Sequence, residues 1–431
     1  MIIKSLRRFK SFIGDLPPDH HFPLENLPFG VGKRIGAKGG VKCVSRIGDY
    51  AINLAELESQ GFFKEILPQS TFSSKFLNKF MSQERTQWKK VREILQDLFD
   101  ANNPKIRDNA ELRNEVLIPI ENFRQEMPAK IGDFTDFYSC KNHRDNCGKK
   151  YPLAIKPNYE WIPIAYHGRS SSVKLSGTPL RKPYGQVMHP GSDKPVYEQS
   201  QWLDFEVEMG YFIGGKTNKL GENIPIEKAA DNIFGFVILN DWTARDIQLW
   251  EFTPLGPFNS KNMLTSISPW IVTLEALEPF KAPMDPQVPE PLDYLKDPHR
   301  FNYNVGLDVF FKKGGVKDSD FVKISSTNLA HLYWSVAQQV AHHTETGCNL
   351  KPGDLIGTGT LSGTTPDTVG SLLEMDCLGL KGIPYKEGSR AKFLSGGDSV
   401  KIVGQSKKGN LTIGFGECVG KVLRARTMKK E

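Results

Sequence analysis

Apolar and polar positions in this chain change places over short distances. Brief apolar runs are closed by Gly, Pro, Asn or Asp, which is the pattern of strands joined by tight turns. Residues 22–67 show it first, with Val41-Lys42-Cys43-Val44 and Tyr50-Ala51-Ile52-Asn53-Leu54 set between turns at Gly39-Gly40 and Gly48-Asp49. From 82 to 101 the spacing changes: Trp88, Val91, Ile94, Leu95 and Leu98 recur every three or four residues, which predicts a helix with Ser82 as its cap. The polar segment 102–114 ends that unit, and Leu117-Ile118-Pro119-Ile120 is expected to begin the crossing to the next.

Beyond about residue 128 strand signals dominate. Residues 203–213 (LDFEVEMGYFI), 234–240, 270–274, 305–312, 354–360, 371–377, 399–405 and 411–418 all read as strands. Two helices are expected among them. One starts near Asp241; the other runs from about 327 to 343 with Leu329, Leu332, Tyr333, Val336 and Val340 on one face. The expected organisation is therefore a small N-terminal β module with a helix and linker over 1–128, followed by a larger, mainly β unit over 129–431.

Composition alters this picture little. Hydrophobic residues at 39% and charged residues at 24% suit a globular chain, and 39 glycines with 28 prolines favour turns over long helices. The net charge of +7 is spread thinly, its densest basic spots being Arg7-Arg8 and 426–430, so no nucleic-acid stripe is expected. No run approaches a membrane span. The opening residues, with Lys4, Arg7, Arg8 and Lys10, lack a secretory apolar core. Six scattered cysteines without a C-x-x-C pair suit a reducing, cytoplasmic setting.

Four segments carry candidate chemistry. In the alternating run 203–213, Glu206 and Glu208 share a strand face while Phe205, Val207 and Met209 fill the other. Two carboxylates so placed repel unless a cation lies between them; an ordinary solvated face is the competing reading. In Asn240-Asp241-Trp242-Thr243-Ala244-Arg245-Asp246-Ile247-Gln248, Asp241 is placed to cap a helix. Arg245 and Gln248 project from one face of that helix, where both can donate to a developing oxyanion, and Asp246 is expected at the surface. In 136–143, Asp136 and Tyr138 share a face with His143 close behind. Finally, 351–363 is a Gly/Thr-rich turn without the Walker lysine pattern, and the acid Glu374 follows in the apolar run 371–377.

Jointly these strings (TDFY, LDFEVE, NDWTARDIQ, GTLSG), with Tyr166-His167-Gly168-Arg169-Ser170-Ser171-Ser172, Ser176-Gly177-Thr178-Pro179 and WEFTPLGPF at 250–258, resemble the fumarylacetoacetase family over residues 22–423. The resemblance implies an SH3-like β-barrel followed by a mixed β-roll, assembled as a homodimer. It implies hydrolysis of the carbon–carbon bond of 4-fumarylacetoacetate to fumarate and acetoacetate, in tyrosine and phenylalanine breakdown. Asp136, Glu206, Glu208 and Asp241 then resemble the family's metal carboxylates, and such an all-oxygen set suits Mg²⁺ or Ca²⁺. Lys261 and Thr265 resemble residues near a second, Mg²⁺-type position. His143 resembles the general base and Glu374 the carboxylate that orients it; Arg245, Gln248 and Lys261 resemble the oxyanion group, and Tyr138, Tyr166 and Thr360 substrate contacts.

Two positions depart from the family pattern. Phe252 stands where a tyrosine is usual, and 149–159 is short and lacks an arginine, leaving Lys149 or Lys150 to meet a substrate carboxylate. The competing functions are therefore a related acylpyruvate hydrolase, an oxo-acid decarboxylase or isomerase on the same scaffold, and a non-catalytic binding protein.

Overall fold

A computed structural model describes residues 9–36, 39–152, 155–316, 320–386 and 389–427. The basic opening at Lys4, Arg7 and Arg8 lies outside the described residues, as do the last four. The chain is mainly β, with a small N-terminal β module and a larger β unit carrying a few short helices.

The N-terminal sheet orders its strands as Leu117–Pro119, Tyr50–Asn53, Lys42–Ile47, Phe29–Arg34 and Phe123–Glu126. The run at 117–120, expected to leave this unit, instead forms its edge and pairs with Tyr50–Asn53. The long helix spans Arg85–Leu98 and buries Trp88, Val91, Leu95 and Leu98 as the spacing requires. Its cap is Glu84 rather than Ser82, because Glu84 and Gln87 exchange bonds with each other's backbone as a capping box. The polar stretch that follows holds two further short helices, Pro104–Arg107 and Ala110–Val116, each capped by an asparagine.

This module rests on the large sheet. Phe234 of that sheet meets Phe29, Phe80 and Trp88 with ring centroids 5.8, 5.5 and 5.0 Å apart. Phe29 and Ile271 exchange backbone bonds of 2.9 and 2.7 Å across the join. Aromatic packing of this kind leaves one continuous core between the two units.

The large sheet runs Ala165–Gly168, Phe134–Phe137, Leu355–Gly357, Val207–Ile213, Ile233–Asp241, Thr265–Ile267 and Val173–Leu175, with Val272–Thr273 pairing beside it. A second sheet, of Val322–Asn328, Gly306–Lys312, Ser399–Lys408, Leu411–Leu423 and Leu180–Arg181, covers its other face. Ile238 and Trp242 point into that second sheet, where Gly404 and Gly420 leave them room: a Cβ at 420 would lie 2.2 Å from the Trp242 ring.

Several expected elements change form. Residues 203–213 break into Leu203–Asp204 and Val207–Ile213, so Glu206 sits at the break. The helix expected over 327–343 is shorter, Val336–Thr344, capped reciprocally by Ser335 and Gln338; Val322–Asn328 before it is strand. Asp241 closes the strand Ile233–Asp241 instead of capping a helix, and the helix Arg245–Glu251 starts after Ala244. Residues 270–274 give only the short strand Val272–Thr273 before a helical turn. Glu374 lies on a helix, Leu372–Cys377, not a strand. Residues 371–375 are all buried and so carry no period to read; Ser371, accepting from the Glu374 amide, decides the matter.

Candidate active site

Three strands of the large sheet each bring one acid to the same place. Asp136 is opposite Gly357 in the parallel pair, Gly357 opposite Gly210, and Asp241 opposite Thr265. One carboxylate oxygen each from Asp136, Glu208 and Asp241 lie within 4.8 Å of one another, all buried. Gly357 makes this approach possible: a Cβ there would lie 2.4 Å from Asp136 Oδ1 and 3.0 Å from Glu208 Oε2. The Gly359 amide donates to both acids, at 3.2 and 3.1 Å. Its φ of +79° and its closeness to the Phe137 carbonyl, 2.2 Å from where a Cβ would sit, admit only glycine.

This cluster is short of positive charge. Burial, then the charge on Asp241, pushes the Asp136 carboxyl up to about 8, and burial with Asp136 and Asp241 pushes Glu208 up strongly. Glu208 Oε1 has no hydrogen-bond partner among the described residues although it is buried. An all-oxygen set with one open acceptor fits a hard divalent cation. Asp241 is further bound by Tyr166 Oη at 2.7 Å, Thr265 Oγ1 at 2.9 Å and Lys261 Nζ at 2.7 Å.

Glu206 stands one step away. It is bonded by Lys261 Nζ and by Arg245 Nη1, the latter at 2.7 Å. Burial raises its pKa, but Arg245, Lys261 and His143 overcome that and hold the carboxyl well below its ordinary range. Burial likewise disfavours charge on Lys261 and Arg245, and the acids around each reverse it. The strand face read from sequence thus divides: Glu208 joins the acid cluster, and Glu206 joins the cations.

Arg245 is held on two sides. Its Nε donates to Asp204 Oδ2 at 2.9 Å and its Nη1 to Gln248 Oε1 at 3.2 Å, while Nη2 is buried without a partner among the described residues. Arg245 and Gln248 do share a helix face, as their spacing predicts. Asp246, expected at the surface, is instead buried and accepts from Ser200 Oγ and the amides of Gln201 and Trp202.

His143 Nδ1 lies 2.8 Å from Glu374 Oε2, within hydrogen-bond distance but outside hydrogen-bond alignment. Such alignment often tightens only with substrate bound. Glu374 is fixed by Asn146 Nδ2 at 3.1 Å, Ser362 Oγ at 2.9 Å and Ser371 Oγ at 2.8 Å. Tyr138 stands edge-on to His143, with ring centroids 5.3 Å apart. Thr360 is buried on the Gly/Thr-rich turn after Gly357. Lys150 pairs with Asp376 at 2.5 Å, and Lys149 is exposed.

Four of these residues escaped the sequence reading: Asp204, Asn146, Ser362 and Ser371. Asp204 had a signal, since it shares the alternation of Glu206 and Glu208. It also binds the amides of Leu372 and Leu373, and so ties Arg245 to the helix that carries Glu374.

A mainly β scaffold holding a buried three-acid cluster that could hold a metal ion, a histidine–glutamate pair and two buried cations has the groups of an enzyme's active site. Comparison with known proteins supplies the family. The description "Fumarylacetoacetase N-terminal" matches residues 25–128, and "Fumarylacetoacetate (FAA) hydrolase C-terminal" matches 134–423. A fumarylacetoacetase of Dictyostelium discoideum is 43% identical over 96% of this chain and 98% of its own length. One of Homo sapiens is 42% identical over 94% and 97%. The chain belongs to the fumarylacetoacetase family. Among solved structures, Cg1458 with inhibitor aligns at a TM-score of 0.50 and 15% identity over 93% of this chain and 100% of that one, a likeness of fold.

Proposed function

We propose that this enzyme hydrolyses the carbon–carbon bond of 4-fumarylacetoacetate, giving fumarate and acetoacetate. The observation that carries the reading is the His143–Glu374 contact beside the acid cluster, together with relatives of that name matching along nearly the whole chain. Asp136, Glu208 and Asp241, with Glu206 next to them, would hold a divalent cation, Mg²⁺ or Ca²⁺. Bound there, it supplies Lewis-acid stabilisation of negative charge on the substrate's diketone oxygens.

The protein's own groups do the rest. Glu374 orients His143, which takes a proton from water as the water oxygen attacks the ketone carbon beside the fumaryl group. The resulting alkoxide meets the unpartnered Arg245 Nη2 with Lys261 and Gln248, each such donor being worth about 3 kcal/mol. Collapse of that intermediate expels the acetoacetate carbon, which takes up a proton, and fumarate remains. Tyr138, Tyr166 and Thr360 line the substrate's path.

We assign the cytosol as the compartment, consistent with six unpaired cysteines, and a homodimer as the assembly. Exposed Leu249, Trp250, Phe252, Leu255 and Phe258 offer an apolar surface for a second copy. Domain limits at 1–128 and 129–431 accompany this reading. Phe252 and the arginine-free stretch 149–159 favour, as the second reading, a related acylpyruvate substrate.

The test follows loss of fumarylacetoacetate by purified protein, with and without chelator, beside His143→Ala. Turnover to fumarate and acetoacetate that stops with chelator, and falls about a thousand-fold in the variant, is expected. Cleavage of a simple acylpyruvate alone selects the second reading. No turnover of any diketo acid leaves a binding protein.

A further inference from the structure

Glu251 ends the helix that begins with Arg245 and carries Gln248. A carboxylate at that end of a helix faces the negative pole of its dipole, so helix stability does not account for it. Its partners lie elsewhere. Oε1 accepts from the Phe258 amide at 2.7 Å, the Ser260 amide at 2.9 Å and Ser260 Oγ at 2.6 Å, and Oε2 from the Asn259 amide at 3.0 Å. Three successive amides wrapped round one carboxylate form an anion nest filled by the chain's own side chain. The loop 252–260 so fastened exposes Phe252, Leu255 and Phe258, and its other ties within the chain are backbone bonds such as Gly256 amide to Phe252 carbonyl at 2.6 Å and Lys261 amide to Phe258 carbonyl at 3.1 Å. A second tie, Ala244 amide to Ser260 carbonyl at 3.0 Å, sets the residue before Arg245 against the residue before Lys261.

We infer that Glu251 is a positioning residue: by closing this loop it delivers the Lys261 ammonium to Glu206 and Asp241. The inference rests on the function proposed for that site. A lysine has a long, freely turning stem, and here its head reaches two buried carboxylates from a backbone fixed one residue after the nest. Glutamine at 251 keeps the shape but has one acceptor oxygen, and turns an NH₂ group toward backbone donors.

Two readouts test this, with Glu251→Gln in the full-length protein. In the first, lysines are labelled by reductive methylation and read by mass spectrometry. Lys261 is expected to react about ten-fold faster in the variant, while Lys313, paired with Asp398 in another part of the fold, keeps its rate. In the second, kcat for the diketo acid falls about ten-fold with KM within about two-fold, and in a Lys261→Met background the same change costs less than about two-fold. Ser260→Ala, which removes only the hydroxyl bond, is the milder variant should Glu251→Gln fail to fold; about a three-fold rise in Lys261 labelling is expected. Unchanged labelling of Lys261, a parallel rise at Lys313, or equal losses of kcat in both backgrounds overturns the inference. Wild-type protein that leaves the diketo acid intact counts against the proposed function alone, because labelling needs no turnover.

Discussion

Arg245 shows how much one side chain does here. Its three nitrogens face in different directions: Nε to Asp204, Nη1 to Glu206 and Gln248, and Nη2 to no partner among the described residues. A lysine has one head and cannot repeat this fork. Arg245→Lys is expected to lower kcat by about a hundred-fold or more and to cost about 3 kcal/mol of stability, since Asp204 would remain buried without its cation. Turnover and denaturant unfolding measured together check both; loss of kcat at unchanged stability would remove Asp204 from the account. At this scale the sequence was informative about which residues matter and, beyond the His143–Glu374 pair that the resemblance implies, silent about their partners. The alternation in 203–213 placed Glu206 and Glu208 on one face, yet only the third dimension shows one of them turned to acids and the other to cations. Asn146, Ser362 and Ser371 gave no warning, because a serine or asparagine that supports a buried acid looks in sequence like any turn residue.

Among the elements, Leu355–Gly357 is the narrowest constraint. It lies between the strands of Asp136 and Glu208, and its last residue has no side chain to keep them apart. Gly357→Ala is expected to weaken Mg²⁺ or Ca²⁺ binding at least about ten-fold, read by calorimetry, because the new methyl would displace two carboxylates. Gly306→Ala serves as control, since its nearest neighbour would lie 3.6 Å away in ordinary contact. Equal affinity in both variants would show that the acid cluster is not the cation site. Strands with clear alternation or long apolar runs, such as Ile233–Asp241 and Gly306–Lys312, could be read from the chain nearly to their ends. The elements misread were those whose first turns are buried throughout, as at 371–375, or stopped by a cap whose partner lies in the next turn, as at Glu84 and Ser335. The edge strand Leu117–Pro119 was misplaced for a different reason: its partner Tyr50–Asn53 precedes it by more than sixty residues, beyond any local signal.

For the molecule as a whole, burial of imidazole rings sets a direction in pH. Burial lowers the pKa of His21, His331 and His342 below the ordinary 6.5. Rings that stay neutral when folded but take a proton when unfolded favour the unfolded chain in acid. Their contribution is intact above about pH 6.5 and is lost as pH falls through that value toward the folded pKa. With the acid cluster saturated by Mg²⁺, the thermal midpoint is expected to fall between about pH 7.5 and 5.5, and His331→Gln to flatten part of that fall. A profile as steep in the variant as in the wild type would exclude the His331 ring as a source.

The order of strands in the large sheet also bears on how the enzyme is made. Synthesis runs from the N-terminus, so Asp136 and Glu208 leave the ribosome long before the strand that must lie between them. A nascent chain halted short of residue 355 has the acids without the spacer that sets their separation. The cluster that could hold a cation is thereby incomplete until more than four-fifths of the polypeptide exists, and a message truncated before that point yields a fragment without the strand that sets the two acids apart.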